Sequence, residues 1–183
     1  MISLEVEPLD LGEDVRAVGL ELVEGMDHEP VRGENAVQVW SAALPALAGK
    51  EPWSLDFFGH VDRVRDFCQA KAIDYREVSK RLIVIAAPPA DSMQSLLGRF
   101  ASETFGIRAG SRLPMQDHAL ESELARRGLD AYQAAYSDYF LCGICDFENG
   151  SLVVLSKGLW ATEIARRVRP ALTKMEVRVK IAS

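Results

Sequence analysis

Apolar and polar residues alternate near the start of the chain, the pattern of half-buried β-strands. Residues 2–7 alternate strictly and predict a first strand that Pro8 ends. Residues 18–22 predict a second strand that stops near Gly25. Residues 35–40 fit either a third strand or the beginning of a short helix that continues through residues 42–44.

Further along the chain, apolar residues recur every three or four positions, as they do on one face of an amphipathic helix. The predicted helices cover residues 54–72, 91–106 and 117–128. Ser54 is the expected N-cap of the first helix, with Asp56 in its first turn. The continuous apolar run 82–87 predicts a buried strand, and residues 107–116 are expected to form a loop.

The centre of the predicted fold is a β-hairpin over residues 139–156. Two apolar runs flank Asn149-Gly150, the dipeptide that most readily forms a type I′ turn. With a two-residue turn at this point, Cys145 faces Val154 across the hairpin. Both faces of the hairpin are mostly apolar, which predicts central strands covered on both sides.

A last helix is expected after Gly158, with Trp160, Ile164 and Val168 packed against the hairpin and Pro170 ending or kinking it. Alternation over residues 175–181 then predicts a C-terminal strand with one solvated face. We therefore expect an α+β fold over residues 1–183 as a single domain, with a mostly antiparallel sheet and helices packed on at least one face.

Composition narrows the class of protein. Of the 183 residues, 48% are hydrophobic and 26% are charged, which is ordinary for a globular protein. The longest uncharged apolar stretch, residues 82–90, is too short to cross a bilayer, and no signal peptide is expected. Three cysteines do not make a disulfide framework for a chain of this length, so we expect a reducing, cytoplasmic compartment.

The net charge of −6 is unevenly distributed. Residues 1–60 carry three basic against twelve acidic residues, a net charge of −9. Residues 151–183 carry seven basic against two acidic residues, a net charge of +5. Either these two parts lie side by side in one domain, or one of them faces a charged partner.

The pair Cys142 and Cys145 is the one motif with possible metal or redox chemistry. Positions three apart on a regular strand point to opposite faces, so the two sulfurs meet only if Gly143 forms a bulge. A zinc site would need two more ligands, for which Cys68 and one of the three histidines could serve. We expect buried strand cysteines, and therefore no metal and no cofactor, with a metal-stabilised domain as an open alternative.

The loop 88–92 leaves a predicted strand and enters a helix, a geometry that often binds anions. Asp91 and Ser92 in this loop, together with His118, are the candidate ligand-binding residues. The two prolines at 88 and 89 remove backbone N–H groups that a phosphate would use, and no glycine-rich phosphate motif is present. No catalytic signature accompanies the three histidines, so the sequence leaves open whether the chain is an enzyme.

Nucleic-acid binding is not expected. The segment 163–168 is similar to the first helix of a helix-turn-helix, but a strand pattern follows where the recognition helix should be. A pI of about 5.2 also argues against a general phosphate-binding surface.

Together these patterns favour a cytoplasmic binding or interaction protein, of an accessory, chaperone-like or inhibitor-like kind. Its expected contact residues towards a protein partner are Glu21, Glu24, Asp27 and Glu29. The alternative is a small enzyme or ligand-binding domain with a pocket near the 88–92 loop. A homodimer is expected on general grounds, and no membrane association is expected.

Overall fold

The computed structural model describes residues 1–10, 16–100, 105–110, 118–132, 141–146, 150–156 and 160–182. The helices in these ranges are α1 (Gly33–Ala48), α2 (Val61–Ala70), α3 (Ala90–Phe100), α4 (His118–Arg127) and α5 (Ala161–Thr173). The strands are β1 (Ile2–Asp10), β2 (Arg16–Glu24), β3 (Glu29–Pro30), β4 (Trp53–Phe58), β5 (Arg76–Ser79), β6 (Leu82–Ala86), β7 (Phe105–Ala109), β8 (Leu141–Asp146), β9 (Ser151–Leu155) and β10 (Arg178–Ile181).

The ten strands form one sheet in the order β10-β1-β2-β9-β8-β7-β4-β6-β5, and the short β3 pairs beside β2. Every described pairing is antiparallel except that of β1 with β10, which is parallel. The predicted α+β fold with a mostly antiparallel sheet is therefore confirmed. Among the residues that the structure describes, no helix has the length and apolar content needed to cross a membrane.

Helices cover both faces of the sheet. In β6, Ile83 and Ile85 lie in the larger core, which includes residues of α1, α2, α3 and α5. Their neighbours Leu82 and Val84 lie in a smaller core with Leu120 and Leu124 of α4. We call the side of the larger core the first face and the side of α4 the second face. Helix packing on at least one face is confirmed.

The predicted hairpin is confirmed, but its register is not. Cys145 pairs with Leu152 rather than with Val154, because four residues rather than two separate β8 from β9. A shift of two residues leaves each position on the same face of the sheet. Gly150, at φ 67, supplies the positive φ, and its carbonyl accepts a hydrogen bond of 2.9 Å from the backbone N–H of Leu22. As predicted, β8 and β9 are central strands.

The helix predicted over residues 54–72 is wrong in its first part. Ser54 and Asp56 lie in β4, and the helix begins only at Val61. Gly59, at φ 88, separates the two elements. The apolar residues of β4 and α2 keep a helix-like spacing across this break, and that spacing produced the single predicted helix.

The helix predicted over residues 91–106 and the loop that follows it are also partly wrong. Helix α3 ends at Phe100, and Phe105–Ala109 forms β7. In β7, Phe105, Ile107 and Ala109 lie in the core of the first face, and the residues between them are Gly106 and Arg108. A glycine and a buried arginine hid the alternation that would have predicted a strand. Residues 111–117 of the predicted loop lie outside the described part of the chain.

The start of the chain also differs in detail from the prediction. Pro8 does not end β1, which continues to Asp10 with Pro8 opposite Val18. The carbonyl of Val6 accepts a hydrogen bond from the backbone N–H of Ala182, so even-numbered residues of β1 direct their backbone groups towards β10. Because β10 ends at Ile181, no strand among the described residues pairs with Pro8 on that side, and its missing N–H costs no hydrogen bond there. Residues 35–40 belong to α1, so the helix alternative was correct.

The last helix is confirmed, with two corrections. Trp160 precedes α5 in extended conformation and is 55% exposed rather than inward, whereas Ile164 and Val168 are buried. Helix α5 packs mainly against α1, β10 and β1, and its buried residues share the first-face core with Leu152 and Val154 of the hairpin. Pro170 lies inside the helix, which continues to Thr173 because the buried Leu172 holds its last turn against the core. The C-terminal strand is confirmed but is shorter than predicted.

A hydrogen bond joins α5 to the end of α1, and ion pairs within α5 hold the arginine that donates it. The guanidinium of Arg167 donates to the carbonyl oxygen of Leu47 at 3.0 Å, near the negative end of the α1 dipole. Glu163 accepts hydrogen bonds from Arg166 at 2.7 Å and from Arg167 at 3.1 Å. These hydrogen bonds lower the pKa of Glu163 to about 2.

Candidate functional site

The four carboxylates predicted to contact a partner lie on one hairpin, formed by β2 and β3, but not on one face of the sheet. Glu21 is opposite Glu5 and lies on the second face, whereas Glu24 and Glu29 are opposite each other and lie on the first. Glu21 and Glu24 are on β2, Asp27 is in the turn, and Glu29 begins β3; all four are exposed. The turn 25–28 is tight, with positive φ at Gly25 (76°) and His28 (54°). Gly25 and Asp27 are residue types that are typical of such turns.

Met26 stands at the tip of this acidic hairpin and is 94% exposed. The backbone N–H of Gly25 donates to the carbonyl oxygen of Met1 at 3.3 Å, and Met1 is itself 66% exposed. Two exposed methionines therefore lie beside the carboxylates. Methionine is a flexible and polarizable side chain that recurs at adaptable binding surfaces.

The strand register places carboxylates directly opposite one another twice. Glu24 pairs with Glu29 across β2 and β3, and Glu5 pairs with Glu21 across β1 and β2. Directly opposed like charges destabilise a sheet, by up to about 1 kcal/mol for a pair. This arrangement costs stability.

Only part of this negative charge is compensated locally. Glu5 lies 3.2 Å from Nδ1 of His28 and 3.3 Å from Nζ of Lys180. Glu24 lies 3.9 Å from the N-terminal amino group. Within the described part of the chain, Glu21, Asp27 and Glu29 form no ion pair. Three exposed carboxylates are therefore available to a cation from outside the chain.

The three candidate ligand-binding residues do not share a surface. Asp91 is exposed and Ser92 half-buried in the first turn of α3, which packs on the first face. His118 is exposed at the start of α4, which packs on the second face. The sheet thus lies between His118 and the other two residues.

A groove of about 420 Å³ lies between α1 and α3. It is lined by Glu34, Gln38, Gln94 and Ser95, with two glycines and a valine completing it. Asp91 and Ser92 are not among its lining residues. The predicted pocket near residues 88–92 stays a prediction.

A buried cluster of charged residues on the second face was not predicted. Arg108 of β7 and Asp56 of β4 are both fully buried, and the guanidinium donates to the two carboxylate oxygens at 2.6 and 2.7 Å. The hydroxyl of Tyr132 donates to the same carboxylate, and Ser54 Oγ lies 3.5 Å from it. Because the carboxylate accepts this many donors, its burial as an anion is compensated.

The cluster continues towards the surface through α4. Glu121, which is 1% exposed, lies 3.6 Å from the guanidinium of Arg108. Arg76 of β5 donates to both carboxylate oxygens of Glu121, and its own side chain is 31% exposed. The alternation of two anions and two cations ties α4 to β4, β5 and β7. Since guanidinium groups bind both carboxylates, the arrangement fits a structural role rather than proton transfer.

Gly106 provides the space for this cluster. A Cβ atom at Gly106 would overlap the phenol oxygen and ring of Tyr132, so only glycine lets the tyrosine reach Asp56. The sequence contained one signal of this cluster, a charged residue within each of two mostly apolar segments. These residues are Asp56, which follows Leu55, and Arg108, which follows Ile107. Such residues are rarely buried unless they are paired.

The cysteines divide into two cases. Cys68 is fully buried on α2, and burial raises the pKa of its thiol to about 11, which confirms it as a core residue. Cys142 and Cys145 occupy positions of β8, and the structure does not describe their side chains. In the described part of the chain, no group of three or more His, Cys, Asp and Glu residues could hold a metal ion.

Comparison with protein-family models, with curated proteins and with solved structures found no match. A function for this chain therefore has to be inferred from its own residues.

Proposed function

We propose that this protein is a binding protein that contacts a basic surface of a partner protein through its acidic hairpin, residues 21–29. The observation that carries the proposal is that three exposed carboxylates of this hairpin form no ion pair among the described residues, and that the exposed Met26 stands at its tip. The three are Glu21, Asp27 and Glu29, which surround the hairpin rather than share one face of it. A methionine with carboxylates around it offers an apolar anchor and a charged rim.

The loss of folding stability caused by these carboxylates supports the proposal. Glu24 and Glu29 oppose each other directly, an arrangement that lowers stability in the free protein. A cationic partner would reduce this repulsion, and the free energy of binding would be more favourable by the amount of repulsion that is removed. Negative charge on one surface also steers a basic partner towards it and increases the association rate at low salt.

We further propose that the protein works in a reducing, cytoplasmic compartment, because it has only three cysteines and Cys68 is a buried thiol. A homodimer stays a prediction.

The test is affinity capture with three forms of the full chain: the natural protein, a hairpin variant and a control variant. The hairpin variant carries Glu21→Gln, Glu24→Gln, Asp27→Asn and Glu29→Gln. The control variant removes the same number of carboxylates elsewhere, through Glu51→Gln, Asp66→Asn, Asp74→Asn and Asp130→Asn. Quantitative mass spectrometry then compares what each form retains.

We expect proteins with basic surfaces to be retained by the natural and control forms and lost from the hairpin variant. Their retention should also fall as the salt concentration rises, because screening weakens exposed charges. Equal retention by the hairpin and control variants would show that the acidic hairpin is not the binding surface.

A further inference from the structure

Strand β10, which pairs with β1 on the side away from β2, forms an open edge of the sheet next to a basic groove. Strand β10 pairs with β1 on one side, and in the described part of the chain no strand pairs with its other side. A groove of about 650 Å³ runs beside this edge and is lined by β10 residues, by Arg169 and Thr173 of α5, and by Met1. Its charge is opposite in sign to that of the acidic hairpin.

The outer edge of β10 has backbone groups available for pairing. Ala182 donates its backbone N–H towards β1, and backbone groups of successive strand residues point to alternate sides. Arg178 and Lys180 therefore direct their backbone groups inward to β1, and Val179 and Ile181 direct theirs outward. Ile181 is 42% exposed, so its outer side is accessible.

The side chains around this edge are mostly cationic. Arg169, Arg178 and Lys180 are exposed, with Glu176 as the single acidic residue that lines the groove. Lys180 is engaged with Glu5 at 3.3 Å, whereas Arg169 and Arg178 form no ion pair with any described residue. Two cations beside the free edge are thus available to an anion.

The register shows which pattern of side chains would fit. Arg178 lies opposite Ser3 and Lys180 opposite Glu5, on the second face, while Val179 lies opposite Leu4 on the first face. A strand added outside β10 would place alternate residues beside Arg178 and Lys180 and the residue between them beside Val179. Acidic, apolar and acidic residues in succession satisfy all three positions.

We propose that the open edge of β10 accepts an extended acidic peptide segment of another protein as an added strand. Main-chain hydrogen bonds to Val179 and Ile181 would supply the pairing, and the cations would select acidic side chains. A second copy of β10 fits this edge poorly, because antiparallel pairing would bring Arg178 and Lys180 of the two copies against one another. This proposal lies beyond the proposed function and does not depend on it.

The experiment titrates the full protein with a capped synthetic peptide, Thr-Glu-Val-Glu-Val-Glu-Thr, and follows backbone amide signals by NMR. A second peptide has the same side chains but carries N-methyl groups at alternate residues, which removes the strand-pairing N–H groups and keeps the charges. A third peptide has lysine in place of each glutamate. The protein variants are Arg178→Glu with Lys180→Glu and, as the matched control, Lys50→Glu with Lys71→Glu.

We expect the first peptide to shift the amide signals of Val179 and Ile181, and the N-methylated and lysine peptides not to do so. The Arg178→Glu and Lys180→Glu variant should bind the first peptide about tenfold more weakly, because two attractive contacts become repulsive, while the control keeps its affinity.

Three results would overturn the proposal. One is the absence of binding by the acidic peptide. Another is equal binding of the N-methylated peptide, which would indicate charge attraction without strand addition. The third is a concentration-dependent shift of Val179 and Ile181 in the protein alone, which would assign the edge to a second copy of the chain.

Discussion

Removal of Arg108 tests the buried charge cluster that joins α4 to the sheet. In the substitution Arg108→Met, Asp56 loses two hydrogen bonds of 2.6 and 2.7 Å while it stays fully buried. Only Tyr132 and Ser54 remain as its described partners. A buried charge left without its counter-charge costs about 3–5 kcal/mol, and we expect the unfolding free energy to fall by that amount.

A second variant separates the lost charge pair from lost packing. Asp56→Asn combined with Arg108→Met leaves no buried charge at position 56 and keeps an acceptor for Tyr132. We expect this double variant to be more stable than Arg108→Met alone by about 1–3 kcal/mol, since contacting residues couple by that amount. Urea unfolding followed by circular dichroism measures both differences.

An exposed pair supplies the control. Arg126 and Glu123 also form two hydrogen bonds, at 3.2 and 2.7 Å, but their side chains are 68% and 45% exposed. Arg126→Met should cost at most about 1 kcal/mol. If Arg108→Met lost no more than this control, or if the double variant were no more stable than Arg108→Met, the cluster would not hold α4 as described.

The remaining predictions concern single residues. Gly106→Ala should destabilise the protein by about 1–3 kcal/mol or more in urea unfolding, because the new Cβ displaces Tyr132 from Asp56; unchanged stability would contradict this. Because the raised pKa of Cys68, about 11, keeps the folded thiol protonated, the unfolding free energy should fall as pH rises above the ordinary value of 9.0. Native Cys68 should also resist iodoacetamide at pH 8, and rapid labelling in peptide mapping would refute its burial. The Glu163 carboxyl should titrate near pH 2 in NMR, so its stabilising contribution is present above the ordinary value of 4.5 and is lost as pH falls through about 2; a midpoint near 4.5 would show that the arginine contacts do not persist.

Elements with one apolar face could be predicted from the sequence. The second strand alternates and α3 carries apolar residues at helical spacing, so the strand and the start of α3 were located to within two residues. The end of α3 was placed six residues too late, because Phe105 continues its apolar spacing into β7. Failures occurred where two periodic segments met. The end of β4 and the start of α2 share a helix-like spacing, and only Gly59 marks the boundary.

The buried cluster could not be predicted because its members are far apart in the sequence. Asp56 and Arg108 are 52 residues apart, and they meet only because β4 pairs with β7. Sheet order is a property of the whole fold and leaves no local pattern. The carboxylates of the acidic hairpin, in contrast, lie within nine residues of one another, so their proximity was visible in the sequence.

Photo-crosslinking at the hairpin tip tests the central claim most directly. A photoreactive benzoylphenylalanine in place of Met26, which is 94% exposed, probes the acidic hairpin, and the same group in place of Lys50 is the control. We predict that the Met26 position crosslinks to a protein with a basic surface, that the hairpin variant lacking four carboxylates abolishes the product, and that the Lys50 position gives none. Equal products from both positions, or a product unaffected by loss of the four carboxylates, would contradict a binding role for the hairpin.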